Sequence, residues 1–251
     1  MNKVALITGG SRGIGRDAAL KLAERNIDII LTYHRNEKAA LDVVEKIRQK
    51  GQKAFALQCD IRNISMFEHL AKTVHSVLKE QFGRETFDYL LNNAGTGLHM
   101  NIEETSIDDF DDMLNIHVKG PFFFTQKLLP LIGHGGHIVN ISSGLTRFSF
   151  PGSAAYAMAK GAVEVMTRYM AKEFSPQRIR VNTLAPGAIA TDFRGGAIRD
   201  NEQARAMISS ITALGRVGEA EDIGKAIAAI FSEGLDWITG QRIEASGGMM
   251  L

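Results

Sequence analysis

The stretch Thr8-Gly9-Gly10-Ser11-Arg12-Gly13-Ile14-Gly15 lies between an apolar run at residues 4–7 and a helical pattern at residues 16–26. A strand, a glycine-rich turn and the start of a helix therefore follow one another. Glycines let the backbone turn sharply and leave the N–H groups of the helix N-terminus open to an anion, which the helix dipole also favours. The simplest such anion is the pyrophosphate of a dinucleotide. An ordinary tight turn is the alternative, because the Gly-x3-Gly-x-Gly spacing is not specific by itself.

Short apolar runs alternate with helix-length segments along the whole chain. The runs predict strands near residues 4–7, 27–33, 53–58, 87–91, 137–142, 179–184 and 242–244. This alternation is typical of an α/β fold, and we expect a doubly wound, mostly parallel seven-stranded sheet of the Rossmann type with helices on both faces, forming one domain over residues 1–251. Ligands of such sheets bind outside the carboxyl ends of the strands, so the residues just after each strand are the candidates for a site.

The segments between the strands predict the helices. We expect them over residues 16–26, 37–50, 153–174, 201–213 and 219–231, with two more beginning near Ser65 and after Ser106. Ser65 and Glu68 have the spacing of a capping box. Pro121 lies inside the helix that follows Ser106 and should kink it, because proline cannot donate the backbone hydrogen bond that a helix interior needs.

Charge and cysteine content exclude several classes of function. The chain carries 29 basic and 28 acidic residues, for a formal charge of +1, so no electrostatic feature indicates nucleic acid or an anionic membrane as a partner. The single cysteine, Cys59, cannot form an internal disulfide, and the chain opens on a strand without a secretory pattern, so we expect a cytoplasmic protein. The seven histidines show no metal-binding spacing, and we expect no metal.

The residue about 20 positions beyond the glycine turn selects the nucleotide in this class of site. Arg35 lies at that distance from Gly15, and Arg12 lies inside the turn. Two guanidinium groups suit a 2′-phosphate, which favours NADP(H). The alternative is that both are solvated surface charges and that Glu37 contacts a ribose. Asp60 follows the third strand, where its carboxylate can bind the adenine amino group, cap the following turn, or both.

Tyr156 and Lys160 are four residues apart in a predicted helix, so their side chains share one face. A neighbouring cation stabilises a phenolate, and we therefore expect Lys160, together with the nicotinium cation of a bound cofactor, to lower the pKa of Tyr156 from its usual value near ~10. A chance pair on a helix is the alternative. Ser143 follows the fifth strand, where its hydroxyl can bind a substrate carbonyl while Tyr156 delivers a proton. On sequence grounds alone, the Ser142 hydroxyl could bind the substrate carbonyl instead.

Taken together, these motifs resemble the short-chain dehydrogenase/reductase family over essentially the whole chain. The motifs are Thr8-Gly9-x3-Gly13-x-Gly15, Asn92-Asn93-Ala94-Gly95, Ser143, Tyr156-x3-Lys160 and Pro186-Gly187. The resemblance implies that Tyr156 is the general acid in reduction, that Lys160 lowers its pKa and binds the nicotinamide ribose, and that Ser143 orients the carbonyl. It also implies that Asn115 holds a water molecule in a proton relay.

The cofactor-binding residues expected from the motifs and the resemblance are Gly9, Ser11, Arg12, Gly13, Ile14, Gly15, Arg35, Asp60, Asn93, Ala94, Gly95, Tyr156, Lys160, Pro186, Gly187, Ile189 and Thr191. Residues 192–214 resemble the family's mobile substrate lid. Family members are usually homotetramers, and the two long helices are rich in apolar residues that suit a subunit interface or the core: Phe110, Met113, Phe122, Phe123, Met158, Met166 and Met170.

The resemblance implies an NADPH-dependent reductase of small ketones or aldehydes, reversible as an alcohol dehydrogenase. The 3-oxoacyl-acyl-carrier-protein reductases are the most similar subgroup. Their resemblance to one another includes two basic sites that dock the carrier protein. In this chain residues 131–136 contain no lysine or arginine, and Gln177 replaces the basic residue of the second site. A reductase of acyl thioesters and a sugar or polyol dehydrogenase remain alternatives. So does an NADP(H)-binding regulatory protein without turnover.

Overall fold

A computed structural model describes residues 2–251 of the chain. Nine strands are present in these residues: β1 Lys3–Ile7, β2 Ile27–Tyr33, β3 Ala54–Gln58, β4 Phe87–Asn92, β5 Ile132–Ile141, β6 Arg180–Pro186, β7 Ile189–Ala190, β8 Gly218–Glu219 and β9 Arg242–Ala245. Seven of them form one all-parallel sheet in the order β3-β2-β1-β4-β5-β6-β9, while β7 and β8 pair separately. The predicted fold class is confirmed.

Helices cover both faces of the sheet. They are α1 Gly13–Ala23, α2 Glu37–Gln49, α3 Phe67–Val77, α4 Ile107–Leu114, α5 Gly120–Leu128, α6 Ala154–Glu173, α7 Glu202–Ser210 and α8 Ala220–Ile230. One core cluster joins α1, α2 and α8 to the sheet, and a second joins α3, α5 and α6 to its other face. No helix between residues 2 and 251 combines the length and the apolar character needed to cross a membrane.

The order of the strands reverses beside β1, which pairs with β2 on one side and with β4 on the other. A crevice outside the carboxyl ends of the strands is expected at such a reversal. A buried chain of side-chain hydrogen bonds holds the sheet to α6 beneath that crevice. Asn92 Nδ2 donates to Asn140 Oδ1 at 2.8 Å, Asn140 Nδ2 donates to Thr167 Oγ1 at 2.9 Å, and the Thr183 hydroxyl donates to the same oxygen at 2.7 Å.

One local prediction is wrong in detail. Ser65 lies inside a short 3-10 turn, Ile64–Met66, and its hydroxyl donates to Asn63, so the predicted capping box does not form. The helix after Ser106 does contain Pro121, as predicted. Its α-helical pattern is interrupted before the proline by a π-helical segment at Asn115–Lys119 and resumes as α5, because the missing N–H of Pro121 is tolerated in the first turn of a helix.

The apolar residues of the long helices divide between core and surface. Met113, Met166 and Met170 are buried in the protein's own core, which is the alternative explanation given for them above. Phe122 and Met158 are exposed, with 44% and 61% of their surface accessible. The sequence did not separate the two groups because α5 and α6 are apolar on more than one face.

We expect Thr167→Val to destabilise the protein by about 2 kcal/mol, because the change leaves buried donors of Asn140 and Thr183 without an acceptor. The free energy of unfolding measured in urea checks this. Thr73→Val is the matched control, since the Thr73 hydroxyl also bonds one turn back but is exposed, and it should change stability by no more than about 0.5 kcal/mol. Equal effects of the two changes would contradict the role given to the buried chain.

Candidate active site

The glycine turn adopts a conformation that side chains would prevent. Gly9 and Gly13 have φ angles of +66° and +53°. A Cβ atom at Gly15 would clash with the carbonyl oxygen of Gly9 and lie 2.5 Å from the amide nitrogen of Asn93. The turn therefore needs glycine at these positions, and it brings the chain close to Asn93 while α1 begins inside it. The N–H groups in the first turn of α1 are available to an anion.

Thr8 and Asn93 join the ends of β1 and β4 at the crevice. The Thr8 hydroxyl accepts hydrogen bonds from the backbone N–H groups of Asn93 and Ala94, both at 2.9 Å. The Asn93 amide in turn donates to the carbonyl oxygens of Thr8 at 2.9 Å and Gly9 at 3.2 Å. Asn93 thus fixes the turn itself, and the contact with a cofactor ribose expected for it stays a prediction.

Arg12 and Arg35 flank the nucleotide end of the crevice. Both side chains are exposed, and neither has a hydrogen bond or an ion pair with any residue from 2 to 251. Two uncompensated guanidinium groups beside an anion site fit a 2′-phosphate. Asp60 differs, because its carboxylate is paired with Arg62 at 3.1 Å and with His34 at 3.3 Å. Asp60 therefore caps its own turn in this structure, and its role toward adenine stays a prediction.

The remaining residues expected at the cofactor extend from the ends of β6 and β4. Thr191 lies across the crevice from Gly13. A Cβ atom added to Gly13 would lie 3.6 Å from the Cβ atom of Thr191. Pro186 ends β6, and Gly187 follows so close to Ser246 that a Cβ would lie 2.8 Å from its Cα. Ser11 and Ile14 belong to the glycine turn, Ala94 and Gly95 follow Asn93, and Ile189 begins β7.

Tyr156 and Lys160 are one turn apart on α6 and both are buried, with 9% and 4% of their surface accessible. The Lys160 Nζ atom lies 5.6 Å from the centre of the Tyr156 ring and donates a hydrogen bond to the carbonyl oxygen of Ile141 at 2.7 Å. Because Ile141 ends β5, this bond fixes the helix to the edge of the sheet where the crevice lies. The predicted pair is brought together.

Ser143 lies beside Tyr156, and its hydroxyl favours the phenolate form of that tyrosine. The Ser142 hydroxyl is buried and donates to Glu164 at 2.8 Å. The structure therefore favours Ser143 as the partner of Tyr156, and its role in catalysis stays a prediction.

Burial shifts the pKa values of both members of the pair. Burial raises the pKa of Tyr156 to about 12, although the Ser143 hydroxyl and the charge of Arg194 oppose the rise. Burial lowers the pKa of Lys160 to about 7. Both shifts have one cause, since a desolvated site favours the neutral form of each group. Lys160 is itself desolvated and only partly charged near neutral pH, so it does not lower the Tyr156 pKa without a nucleotide. The lowering expected from Lys160 together with the nicotinium charge of a bound cofactor stays a prediction.

The role expected for Asn115 stays a prediction. Its side chain forms no hydrogen bond within residues 2–251, and it opens the π-helical segment. His117, two residues further on, lies against the cluster instead: its ring packs edge-on against Tyr156 with 5.2 Å between ring centres. The sequence offered one signal that was overlooked, a histidine between the apolar residues Ile116 and Val118.

The segment expected to form a lid begins beside Tyr156. The Phe193 ring lies 5.9 Å from the Tyr156 ring, and the backbone of Arg194 has a φ angle of +53°. Arg194 is half-buried, and its charge faces Tyr156 without a hydrogen bond to any described residue. Within residues 2–251, no three histidine, cysteine, aspartate or glutamate side chains meet as a metal site requires.

Comparisons with known proteins agree with this geometry. A family model described as enoyl-(acyl carrier protein) reductase matches residues 9–250. The chain is 36% identical to the 3-oxoacyl-[acyl-carrier-protein] reductase FabG of Staphylococcus epidermidis over 253 residues, covering 100% of both chains.

Two solved structures are similar as well. One is LugOII, described as a promiscuous reductase that catalyses keto-reduction at C1 during lugdunomycin biosynthesis (38% identity, TM-score 0.93, covering 99% of this chain and 98% of that one). The other is the angucycline C-6 ketoreductase LanV with bound NADP (35% identity, TM-score 0.93, covering 99% and 95%). Because the family model covers nearly the whole chain and these relatives are at least 35% identical over nearly their full length, the chain belongs to the short-chain dehydrogenase/reductase family.

Proposed function

We propose that this protein is an NADPH-dependent reductase that converts a ketone or aldehyde carbonyl into an alcohol. One observation carries the proposal: a buried tyrosine, beside Ser143 and one turn from Lys160, lies at the same sheet edge as the glycine turn. The free guanidinium groups of Arg12 and Arg35 support NADP(H), as does the NADP bound by the similar enzyme LanV.

The residues of the cluster divide the acid chemistry between them. Bound NADPH would supply the hydride that is added to the carbonyl carbon. The Ser143 hydroxyl donates a hydrogen bond to the carbonyl oxygen, and the Tyr156 hydroxyl transfers its proton to that oxygen, which completes the alcohol. Lys160 then stabilises the phenolate that remains on Tyr156, and solvent returns a proton to it.

The protonation states favour the direction of reduction. With a pKa raised to about 12 by burial, Tyr156 keeps its proton at neutral pH and is ready to act as an acid. Oxidation of an alcohol would instead begin from the phenolate, which the buried site disfavours unless the nicotinium charge of NADP+ is present. The similarity to the ketoreductases LugOII and LanV supports carbonyl reduction as the working direction.

Aromatic side chains near Ser143 and Tyr156 support an apolar, ring-bearing substrate. Phe148 and Phe150 pack edge-on with 5.5 Å between ring centres, and Phe148 lies against Gly144, next to Ser143. Phe193 packs on Tyr156 from the segment 192–214, whose motion as a lid stays a prediction. The 36% identity to FabG favours a second candidate, reduction of a 3-oxoacyl thioester. A panel of cyclic aromatic ketones and 3-oxoacyl thioesters separates the two.

We expect Tyr156→Phe to lower the reductase kcat by about 100- to 10,000-fold, because the change removes the proton donor. Affinity for NADPH, measured by fluorescence titration, should change little. Tyr89→Phe is the matched control, since it retains its ring stacking on Phe231 far from the crevice, and it should keep full activity. Full activity of Tyr156→Phe would show that another group supplies the proton.

We expect Arg35→Asp to lower kcat/KM for NADPH about 10- to 100-fold, because it removes a charge-assisted contact with the 2′-phosphate. The kcat/KM for NADH should stay unchanged or rise. Lys172→Asp makes the same change in charge sign near the end of α6, at the opposite edge of the sheet, and should alter neither value. An unchanged ratio of NADPH to NADH activity in Arg35→Asp would contradict the assignment of the phosphate site.

The homotetramer expected from the family resemblance is also part of the proposal. Met158, Val165 and Tyr169 leave an apolar stripe exposed along α6, with 61%, 45% and 66% of their surface accessible. Such a stripe suits a helix that packs against a neighbouring subunit. Light scattering after size exclusion should find four chains per particle, and Val165→Glu should shift the particle toward smaller species. A monomeric wild type would contradict this. The cytoplasmic location stays a prediction.

A further inference from the structure

His117 is a buried histidine for which the chemistry above has no use. Only 1% of its surface is accessible, and its Nε2 atom lies 2.7 Å from the carbonyl oxygen of Thr96. Because a carbonyl oxygen only accepts hydrogen bonds, Nε2 must carry the proton of the neutral ring. The Nδ1 atom is then a bare acceptor, and it has no hydrogen-bond partner within residues 2–251.

The surrounding structure is shaped to admit this ring. A Cβ atom at Gly95 would lie 2.6 Å from His117 Cε1 and 3.2 Å from Nδ1, so only glycine fits there. The π-helical segment Asn115–Lys119 carries the ring, which packs edge-on against Tyr156. Helix α6 therefore holds the acid on one side of the imidazole, and the loop after β4 closes on the other.

A cavity of about 10 Å³ adjoins the ring, and its wall includes His117, Lys160, Asn92 and Asn140. That volume holds about one water molecule. The Asn92 Oδ1 atom is a second buried acceptor without a partner, because its amide nitrogen donates to Thr125 and Asn140. Lys160 uses one donor on Ile141 and has two more when charged.

A water molecule bound in this cavity would accept a hydrogen bond from the Lys160 ammonium and donate its two hydrogens to His117 Nδ1 and Asn92 Oδ1. A polar cavity with three partners is the kind of site in which buried water is found. Both unpartnered atoms can only accept, so both hydrogens of the water are directed at them and its lone pairs at Lys160.

We propose that His117, together with Asn92, holds a water molecule against Lys160 and so keeps the ammonium charged and in place beside Tyr156. His117 is thus a positioning residue, and it takes the part that the family resemblance gave to Asn115. The inference rests on the proposed reductase function for its kinetic consequences, but not for the arrangement itself.

The charges around His117 are compatible with this role. Its titratable neighbours are Lys160 and Tyr156, both from α6. Burial, reinforced by the charge of Lys160, lowers the pKa of His117 well below its usual value, so the ring stays a neutral acceptor at physiological pH. Loss of that acceptor should destabilise charged Lys160 and lower its pKa.

Kinetics of three variants test the inference. His117→Phe keeps the aromatic packing but offers no acceptor, and we expect its kcat to fall on the order of 10- to 100-fold, with little change in the KM for NADPH. The pH at which activity falls as Lys160 loses its proton should move to lower values. His117→Asn restores an acceptor and should recover most of both effects.

His137→Phe is the matched control. His137 is another buried histidine with an unpartnered Nδ1, but it lies on β5 and packs against Phe231. Its replacement should lower thermal stability and leave kcat and the pH profile of the folded enzyme unchanged. A purely structural effect of losing a buried imidazole would make the two phenylalanine variants alike and would overturn the proposal.

A readout without turnover separates this inference from the proposed function. Nitrogen-15 NMR of the imidazole in nucleotide-free protein should show the Nε2-protonated tautomer of His117 with no titration from about pH 5 to 8, and a high-resolution crystal structure should show one water bonded to Lys160. A proton on Nδ1, or a cavity without water, overturns the arrangement even if the enzyme is active. Full activity of His117→Phe beside a loss in Asn115→Ala overturns it as well. An enzyme inactive on every carbonyl compound defeats the proposed function and leaves the NMR test intact.

Discussion

The hydrogen bond from Lys160 to the carbonyl oxygen of Ile141 is the interaction on which the site depends. It fixes α6 to the carboxyl end of β5 with a donor–acceptor distance of 2.7 Å, and it thereby sets the depth at which Tyr156, one turn earlier, is buried. The same burial determines the chemistry. It keeps the phenol protonated and leaves the lysine only partly charged, so the positive charge beside the tyrosine depends on every group that solvates the ammonium.

The two halves of the site are joined by polar side chains at the reversal of strand order. Thr8 and Asn93 connect the glycine turn after β1 to the end of β4, and Asn92 continues inward to Asn140 and Thr125. Asn92 also borders the cavity beside Lys160. The end of β4 thus contacts the glycine turn on one side and borders the cavity beside Lys160 on the other, which explains why several of its side chains are both buried and polar.

The sequence predicted the features that depend on local geometry. Each of these features has a periodicity or a backbone requirement that can be read from the sequence alone. They are the glycine turn, the four-residue spacing of Tyr156 and Lys160, and the alternation of strands and helices. The features it missed depend on contacts. The change to a π-helix decides whether Asn115 or His117 faces Lys160, and burial decides the pKa of Tyr156. Neither feature can be predicted from the spacing of residues in the sequence, because both arise only when α6, the π-helical segment and the loop after β4 pack together.

The central claim is that burial keeps Tyr156 protonated, as an acid ready for carbonyl reduction. Carbon-13 NMR of tyrosine labelled at Cζ measures this directly in nucleotide-free protein, with Tyr156→Phe to assign the signal. The account predicts that the Cζ shift of Tyr156 stays at its phenol value up to about pH 10, where an ordinary tyrosine is half ionised. A Tyr156 signal that titrates below that pH would contradict it.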